Sequence, residues 1–191
     1  MQRAPVVAEP DRRYTQGPRR RRRRAWAVTV VATVASTYAL DAFAVAAGAL
    51  LAGSGLLAGL DRPLLLAVLA GTYVLWGAGL RANLAANWSL LSRTGASTNV
   101  LSKAAHDVAR ARGADARRRR FAASAGYVVT ELAKEAPYYA SASGVALLSD
   151  SVSAGDAIVF IAGTNVGAAI YEYGLARATQ MFLRRRAAAQ T

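Results

Sequence analysis

The sequence contains no cysteine and a single histidine, His106, among its 191 residues. The missing cysteines exclude disulfide bridges, thiolate metal sites and a cysteine nucleophile. A Gly-rich phosphate loop, a Ser-His-Asp set and metal-ligand spacing are also missing. His106 lies beside Asp107 in a basic stretch and is expected to be exposed rather than catalytic. A non-enzymatic protein is therefore favoured over an enzyme, no cofactor is expected, and the identity of any bound metal stays unknown.

Charged residues are absent over long stretches of the chain. Between residues 25 and 60 there is no Lys or Arg and one acid, Asp41, whereas about 20 apolar residues suffice to cross a bilayer. The 24 Lys and Arg outnumber the 11 Asp and Glu, and many of them form blocks at residues 19 to 24, 117 to 120 and 184 to 186. This segregation predicts an all-α, polytopic membrane protein and excludes an ordinary globular or disordered chain.

Four membrane spans account for the distribution of basic residues. Basic residues favour the cytoplasmic side of a membrane, and four crossings place 21 of the 24 there. Each charge at a helix centre costs about 2.5 to 3.5 kcal/mol, so the third span, which contains several, would hardly insert alone. We expect a four-helix bundle with both the N-terminus and the C-terminus cytoplasmic. The predicted spans are about 26–48, 63–82, 121–148 and 152–176.

The remaining regions are predicted to be basic and cytoplasmic. Residues 1–24 form a disordered tail, residues 93–120 connect two spans within the membrane domain 25–183, and residues 184–191 form a second tail. Helical patterning over residues 100 to 112 indicates a helix on the membrane surface. The basic blocks are expected to bind anionic lipid headgroups, with nucleic acid disfavoured. The first apolar run exceeds the roughly 7 to 15 residues of a signal peptide, so we expect an uncleaved plasma-membrane protein.

Five polar residues are predicted to share one layer inside the membrane. At a helical rise of 1.5 Å per residue, they lie about 15 to 22 Å from the cytoplasmic ends of their spans. Ions do not stay unpaired in hydrocarbon, so these side chains should face the bundle interior and one another. Lys134 is expected to pair with Asp41. Glu131 or Glu135 on its own helix is the alternative partner, and of these only Glu131, three residues away, faces it well. The layer comprises Asp41, Glu131, Lys134, Glu135 and Asn165.

A series of threonines leads from the cytoplasmic end of the first span to Asp41. Thr29, Thr33 and Thr37 recur every four residues and therefore share one helix face. This hydroxyl track can hydrate a path for a proton or cation. Alternatively, the hydroxyls bond to carbonyl groups of their own helix and serve packing alone.

The segment around Asp41 is similar to a motif of a known family. Residues 40 to 45 (LDAFAV) resemble the Asp-Ala-Phe-Ala segment in the first helix of bacterial manganese efflux pumps. The resemblance covers six residues and implies a site for a hard cation. That family repeats the acidic motif in a second half and has six spans, whereas this chain has Asp156-Ala157-Ile158 as its nearest repeat and four predicted spans.

Small residues on the last span indicate a close helix contact. Gly163, Gly167 and Gly174 are spaced by four and seven residues, a pattern typical of helices that approach each other closely. The partner can be another helix of the bundle, a second copy of the chain or a different membrane protein.

Two functions remain open from the sequence. The three acids of the polar layer outnumber its single base, which favours a small transporter or channel that binds a proton or a hard cation. The alternative is a non-catalytic membrane subunit or scaffold, whose buried charges fix the helix register and whose basic blocks bind anionic lipid or another protein.

Overall fold

The computed structural model describes residues 19–148 and 153–189, without the side chains at 19, 135, 137–139 and 141–148. These ranges are helical and contain no strand, which confirms the predicted all-α class. The predicted tail over residues 1 to 18, the loop at 149 to 152 and the final two residues lie outside the description. The five helices are α1 (Arg19–Gly53), α2 (Arg62–Thr94), α3 (Val100–Ala111), α4 (Ala116–Leu148) and α5 (Ala154–Ala188).

Local capping residues fix where the helices begin and end. The Asp61 side chain accepts a hydrogen bond from the Leu64 N–H at 3.0 Å and so starts α2. At its other end Gly95 adopts the left-handed conformation (φ 72°) that favours glycine. Helix α5 begins with a capping box in which Ser153 and Asp156 bond each other's backbone N–H groups.

Within the described residues, three helices are by length and composition able to cross a membrane: residues Arg20–Gly53 of α1, the whole of α2, and α5. They include the predicted spans 26–48 and 63–82 and the described part of 152–176, and each extends well beyond them. Helix α4 contains the predicted span 121–148 and has a similar length of 33 residues. Its charged residues distinguish it from the three apolar helices. The chain therefore has the composition of a multi-pass membrane protein.

Helix α5 lies at the centre of the bundle, where it contacts α1, α2 and α4. It runs antiparallel to α1, because Gly167 lies at Phe43 and Gly163, one turn earlier, lies at Ala47. It runs parallel to α2, because Asn165 bonds Thr72 while the later Glu172 bonds Asn83. A single helix thus fixes the positions of the other three.

Small and polar residues make up much of the interior of the bundle, together with a few leucines, while many large apolar side chains point outward. Ala44, Ala162 and Ala168 are fully buried, whereas Val31 and Val74 are about 70% exposed. This arrangement suits a lipid environment, where apolar side chains gain nothing by moving inward and close backbone packing holds helices together.

Two of the three glycines predicted to form a contact face lie against α1. A Cβ at Gly163 would be 2.7 Å from the Ala47 carbonyl oxygen, and one at Gly167 would be 2.5 Å from that of Phe43. These backbone atoms cannot move aside without separating the helices. At Gly174, by contrast, a Cβ would meet no described atom within 4 Å. The contact face therefore ends before Gly174.

The connection predicted over residues 93–120 is largely helical. It contains the end of α2, all of α3 and the start of α4. Helix α3 packs on α4 with its polar residues Ser102, Lys103 and His106 buried, while Leu101 and Val108 are about half exposed. The predicted helix over residues 100 to 112 is present, with its polar face turned into the bundle; its position on a membrane surface stays a prediction. Residues 184 to 188 of the predicted C-terminal tail likewise continue α5.

The substitution Gly167→Ala should destabilise the bundle by about 1 to 3 kcal/mol, because the added methyl group overpacks the contact with α1. Gly174→Ala is the matched control on the same helix and should be neutral or stabilising, since alanine favours helix by about 1 kcal/mol over glycine. Thermal unfolding in detergent measures both. Equal melting temperatures for the two variants would contradict the proposed contact.

Candidate functional site

One amide side chain joins three helices in the interior of the bundle. Asn83 of α2 donates through Nδ2 to the Tyr127 hydroxyl of α4 at 2.7 Å and to the Glu172 carboxylate of α5. All three residues are at least 98% buried. Because a buried carboxylate needs strong partners, these contacts indicate a specific polar site rather than an incidental contact.

Glu131 extends this site by one turn along α4. Its carboxylate oxygen Oε1 accepts a hydrogen bond from Lys134 Nζ at 2.9 Å, and the residue is 1% exposed. The Tyr127 hydroxyl interacts electrostatically with both Glu131 and Glu172. We call Asn83, Tyr127, Glu131, Lys134 and Glu172 the buried cluster.

Lys134 pairs with its alternative partner rather than with the one first expected. It forms an ion pair with Glu131 on its own helix, and no described ion pair joins it to Asp41. Asp41 is half-buried on α1, close enough to interact electrostatically with Glu131. The pairing within α4 arises because residues three apart on a helix are neighbours. The Glu135 side chain lies outside the described part of the chain.

The other predicted site residues are placed around the cluster. Asn165 of α5 is fully buried and donates to Thr72 of α2 at 3.3 Å. Thr29, Thr33 and Thr37 each donate at 2.8 Å to the carbonyl oxygen four residues earlier on α1. This is the bonding pattern of the packing alternative, in which the hydroxyls are engaged within their own helix.

A second group of polar residues surrounds Asn87, one turn beyond Asn83 on α2. After α2 ends, residues 95–99 turn back into the bundle, and we call them the inward segment. Asn87 Oδ1 accepts from Ser97 Oγ at 2.7 Å, from Thr98 N at 3.0 Å and from Thr98 Oγ1 at 3.1 Å. Asn87 Nδ2 donates to Ser102 Oγ at 2.9 Å. One side chain therefore accepts three hydrogen bonds from this non-helical turn.

Helix α1 partners the backbone of the inward segment. The Ser97 N–H donates to Thr29 Oγ1 at 3.0 Å, and Thr33 Oγ1 donates to the Thr98 carbonyl oxygen at 3.3 Å. Backbone groups outside a helix need such partners when they are buried. The threonines of α1 thus contribute to docking this segment.

Lys103 binds the first residue of the inward segment, Gly95. Its ammonium group donates to the Gly95 carbonyl oxygen at 2.8 Å, pairs with Asp107 at 3.0 Å and lies 4.8 Å from the centre of the Trp26 ring. His106 also contacts Asp107, at 3.1 Å, and is buried rather than exposed as the sequence suggested. Although burial raises the pKa of Asp107, hydrogen bonds and charge from His106 and Lys103 lower it overall.

Asn99 links the inward segment to the buried cluster. Its Oδ1 accepts from the Ser102 N–H at 2.9 Å, which caps α3, and from the Thr130 hydroxyl at 3.2 Å. The Asn99 side chain also interacts with the carboxylate of Glu131. The two polar groups are therefore continuous, and they meet where the N-terminus of α3 reaches α4.

Three atoms in this region are buried without a hydrogen-bond partner among the described residues: Asn83 Oδ1, Glu131 Oε2 and Asn99 Nδ2. Buried polar atoms in folded proteins are nearly always bonded. Two of the three are oxygen acceptors, which can bind a proton donor or a cation. No group of three or more His, Asp or Glu in the described ranges is arranged to hold a metal, so amide and hydroxyl oxygens would have to contribute to any metal site.

Asn83, Asn87 and Glu172 were not among the residues that the sequence predicted to form the polar layer. Two spacings could have identified them. Asn83 and Asn87 are four residues apart on one face of α2, and Glu172 follows Asn165 by seven residues on α5. Both pairs mark helix faces that carry polar groups into the bundle.

Comparisons of the chain with protein-family models, with curated proteins and with solved structures find no significant match. A functional proposal therefore depends on the geometry of the buried cluster.

The substitution Asn87→Ala should destabilise the fold by about 2 to 4 kcal/mol, because it leaves three buried hydroxyl groups without this partner. Ser89→Ala is the control on the same helix, since the Ser89 hydroxyl bonds only the Ala85 carbonyl oxygen, at 3.0 Å. Thermal unfolding in detergent should show a large decrease for the first variant and little change for the second. A small effect of Asn87→Ala would mean that the inward segment docks without this side chain.

Proposed function

We propose that the protein crosses the plasma membrane four times, with both termini in the cytoplasm, and transports a proton or hard cation through the buried cluster. The length of α4 supports the fourth crossing, since 33 residues span about 50 Å of helix. Its charges Glu131 and Lys134 are largely buried and pair with each other, which reduces their cost in a bilayer. Helix α5 runs antiparallel to α1 and parallel to α2, as four crossings require.

Two unpartnered oxygen atoms carry the proposal of an ion site. Glu131 Oε2 and Asn83 Oδ1 are buried acceptors without a described donor, and Tyr127 lies between the residues that bear them. Glu131 and Glu172 both interact with that tyrosine. Two carboxylates that share one buried site favour the uptake of a proton or cation. A positively charged ligand would therefore satisfy both the orphan oxygens and the local charge.

The available ligands restrict the chemistry of that ion. Carboxylate, amide and phenol oxygens bind protons and hard cations such as Mg²⁺ or Mn²⁺, whereas soft metals prefer thiolate or imidazole. The cysteine-free sequence offers no thiolate, and His106 lies on α3 with Asp107 rather than in the cluster. A proton or hard cation is thus the best match.

Neutralising either carboxylate should strongly reduce transport. In proteoliposomes with imposed proton or Mn²⁺ gradients, Glu131→Gln and Glu172→Gln should each reduce flux about tenfold or more, equivalent to a barrier increase of about 1.4 kcal/mol. The matched control is Asp115→Asn, which neutralises an acid at the start of α4 whose side chain is 65% exposed while retaining a residue that caps well.

Absence of flux above that of empty liposomes would contradict the transport proposal and favour the membrane subunit or scaffold. The many bonds around Asn87 also suit that second role, because they hold helices in a fixed register.

The topology has its own test in this cysteine-free chain. Ser54→Cys after α1 and Ala111→Cys at the end of α3 introduce single thiols at exposed positions. A membrane-impermeant thiol reagent applied to intact cells should label position 54 and leave position 111 unlabelled until the cells are opened. The reverse pattern would invert the orientation, and labelling of both would contradict the topology.

A further inference from the structure

We propose that Asn99 is a positioning residue through which the inward segment closes the cytoplasmic side of the buried cluster while Glu131 is ionised. This inference rests on the proposed function, since it names how the same site is regulated. Under this proposal, binding of a proton or cation to Glu131 controls access to the buried cluster from the cytoplasmic side.

The inward segment lies between the cluster and the helix ends that carry the arginine blocks. On α1 it contacts Thr29 and Thr33, which follow the basic run ending at Arg24. On α4 it reaches Thr130, ten residues after Arg120. Beyond these contacts, one turn further into the bundle along α2, lies Asn83. A ligand that enters from the arginine-rich side therefore meets the inward segment before the cluster.

The bonds of Asn99 fix the direction in which its amide donor points. Oδ1 already accepts two hydrogen bonds, from Ser102 N and Thr130 Oγ1. Nδ2 is then a donor without a hydrogen-bond partner among the described residues, on a side chain that is 1% exposed. The remaining interaction of the side chain is with Glu131, whose Oε2 is equally buried and unpartnered. The amide and the carboxylate thus attract each other without completing a hydrogen bond.

Helix α3 adds to this attraction. It has 12 residues, and its N-terminus, where the backbone N–H groups give a partial positive charge, is capped by Asn99. An ionised Glu131 attracts both the Asn99 amide and this helix end. When Glu131 takes up a proton or cation, that attraction weakens and the segment loses one of its contacts with α4. The contacts made by Asn87 remain, so the expected motion is local.

Thiol accessibility at Ala96 tests the proposal. Ala96 lies in the inward segment and is 6% exposed, so a cysteine introduced there should react slowly in an otherwise unaltered chain. Adding Glu131→Gln should accelerate labelling about tenfold, which corresponds to an interaction of about 1.4 kcal/mol. Asn99→Ser removes the amide but retains a capping oxygen, and it should accelerate labelling to a similar extent. Asp115→Asn is the control for loss of a carboxylate and should leave the rate unchanged.

The decisive variant exchanges the two groups. Asn99→Asp combined with Glu131→Gln places a carboxylate on the inward segment and an amide on α4, which restores the attraction in reverse. Labelling of the Ala96 cysteine should then return to the slow rate. A residue that only caps α3 would give no such rescue, because aspartate caps as well as asparagine. Thermal unfolding of each variant identifies any loss of folding, and Asn99→Ser remains informative if the exchanged pair does not fold.

Fast labelling of the exchanged pair, or an unchanged rate in Glu131→Gln, would overturn the role of Asn99. The outcome is independent of transport, since labelling requires no flux. If the unaltered chain shows no flux but the exchanged pair regains slow labelling, the proposed function alone is contradicted. If flux depends on Glu131 but the exchanged pair still labels fast, the positioning role alone is contradicted.

Discussion

Residues 95–99 leave the helical conformation inside the bundle, and the rest of the polar interior is arranged to satisfy them. Backbone groups that are buried outside a helix need hydrogen-bond partners from the protein or from water. Asn87 supplies three of the bonds, Thr29 and Thr33 supply two more, and Lys103 donates to the Gly95 carbonyl oxygen. This requirement explains why a largely apolar chain buries so many amides and hydroxyls in one region.

The same requirement brings the carboxylates together. Because the inward segment occupies space between α1, α2 and α4, its last residue, Asn99, reaches the face of α4 that carries Tyr127 and Glu131. Helix α5 closes the other side through glycines that let its backbone approach α1, and it delivers Glu172 to Asn83. The buried cluster thus lies at the junction of the four long helices and the short one. Under the proposed function, an ion bound in this cluster would lie next to the inward segment.

The charges show how local and distant pairing compete. Lys134 had potential partners on two helices and pairs with the nearer one, Glu131, three residues away. Asp41 remains half-buried, and its described interaction with the cluster is the electrostatic one with Glu131. Within one helix, residues three or four apart meet whatever the packing, whereas a pair between helices requires a matching rotation of both. Depth along the membrane normal was therefore insufficient to predict the pair.

The sequence by itself determined the helical class and the membrane character of three of its four predicted spans, because apolar length and charge segregation act locally along the chain. It also predicted that Glu131 faces the interior of the bundle, where the residue is 1% exposed. It also indicated Gly163 and Gly167 as contact residues through their spacing. Only the tertiary structure decided that the connection turns inward, that His106 and Lys103 are buried, and that Glu172 joins Asn83 and Tyr127. Those features depend on which faces of separate helices meet, and the inward turn is stabilised by bonds to residues ten to almost seventy positions away. No local pattern encodes such contacts, because each polar residue alone is equally compatible with water.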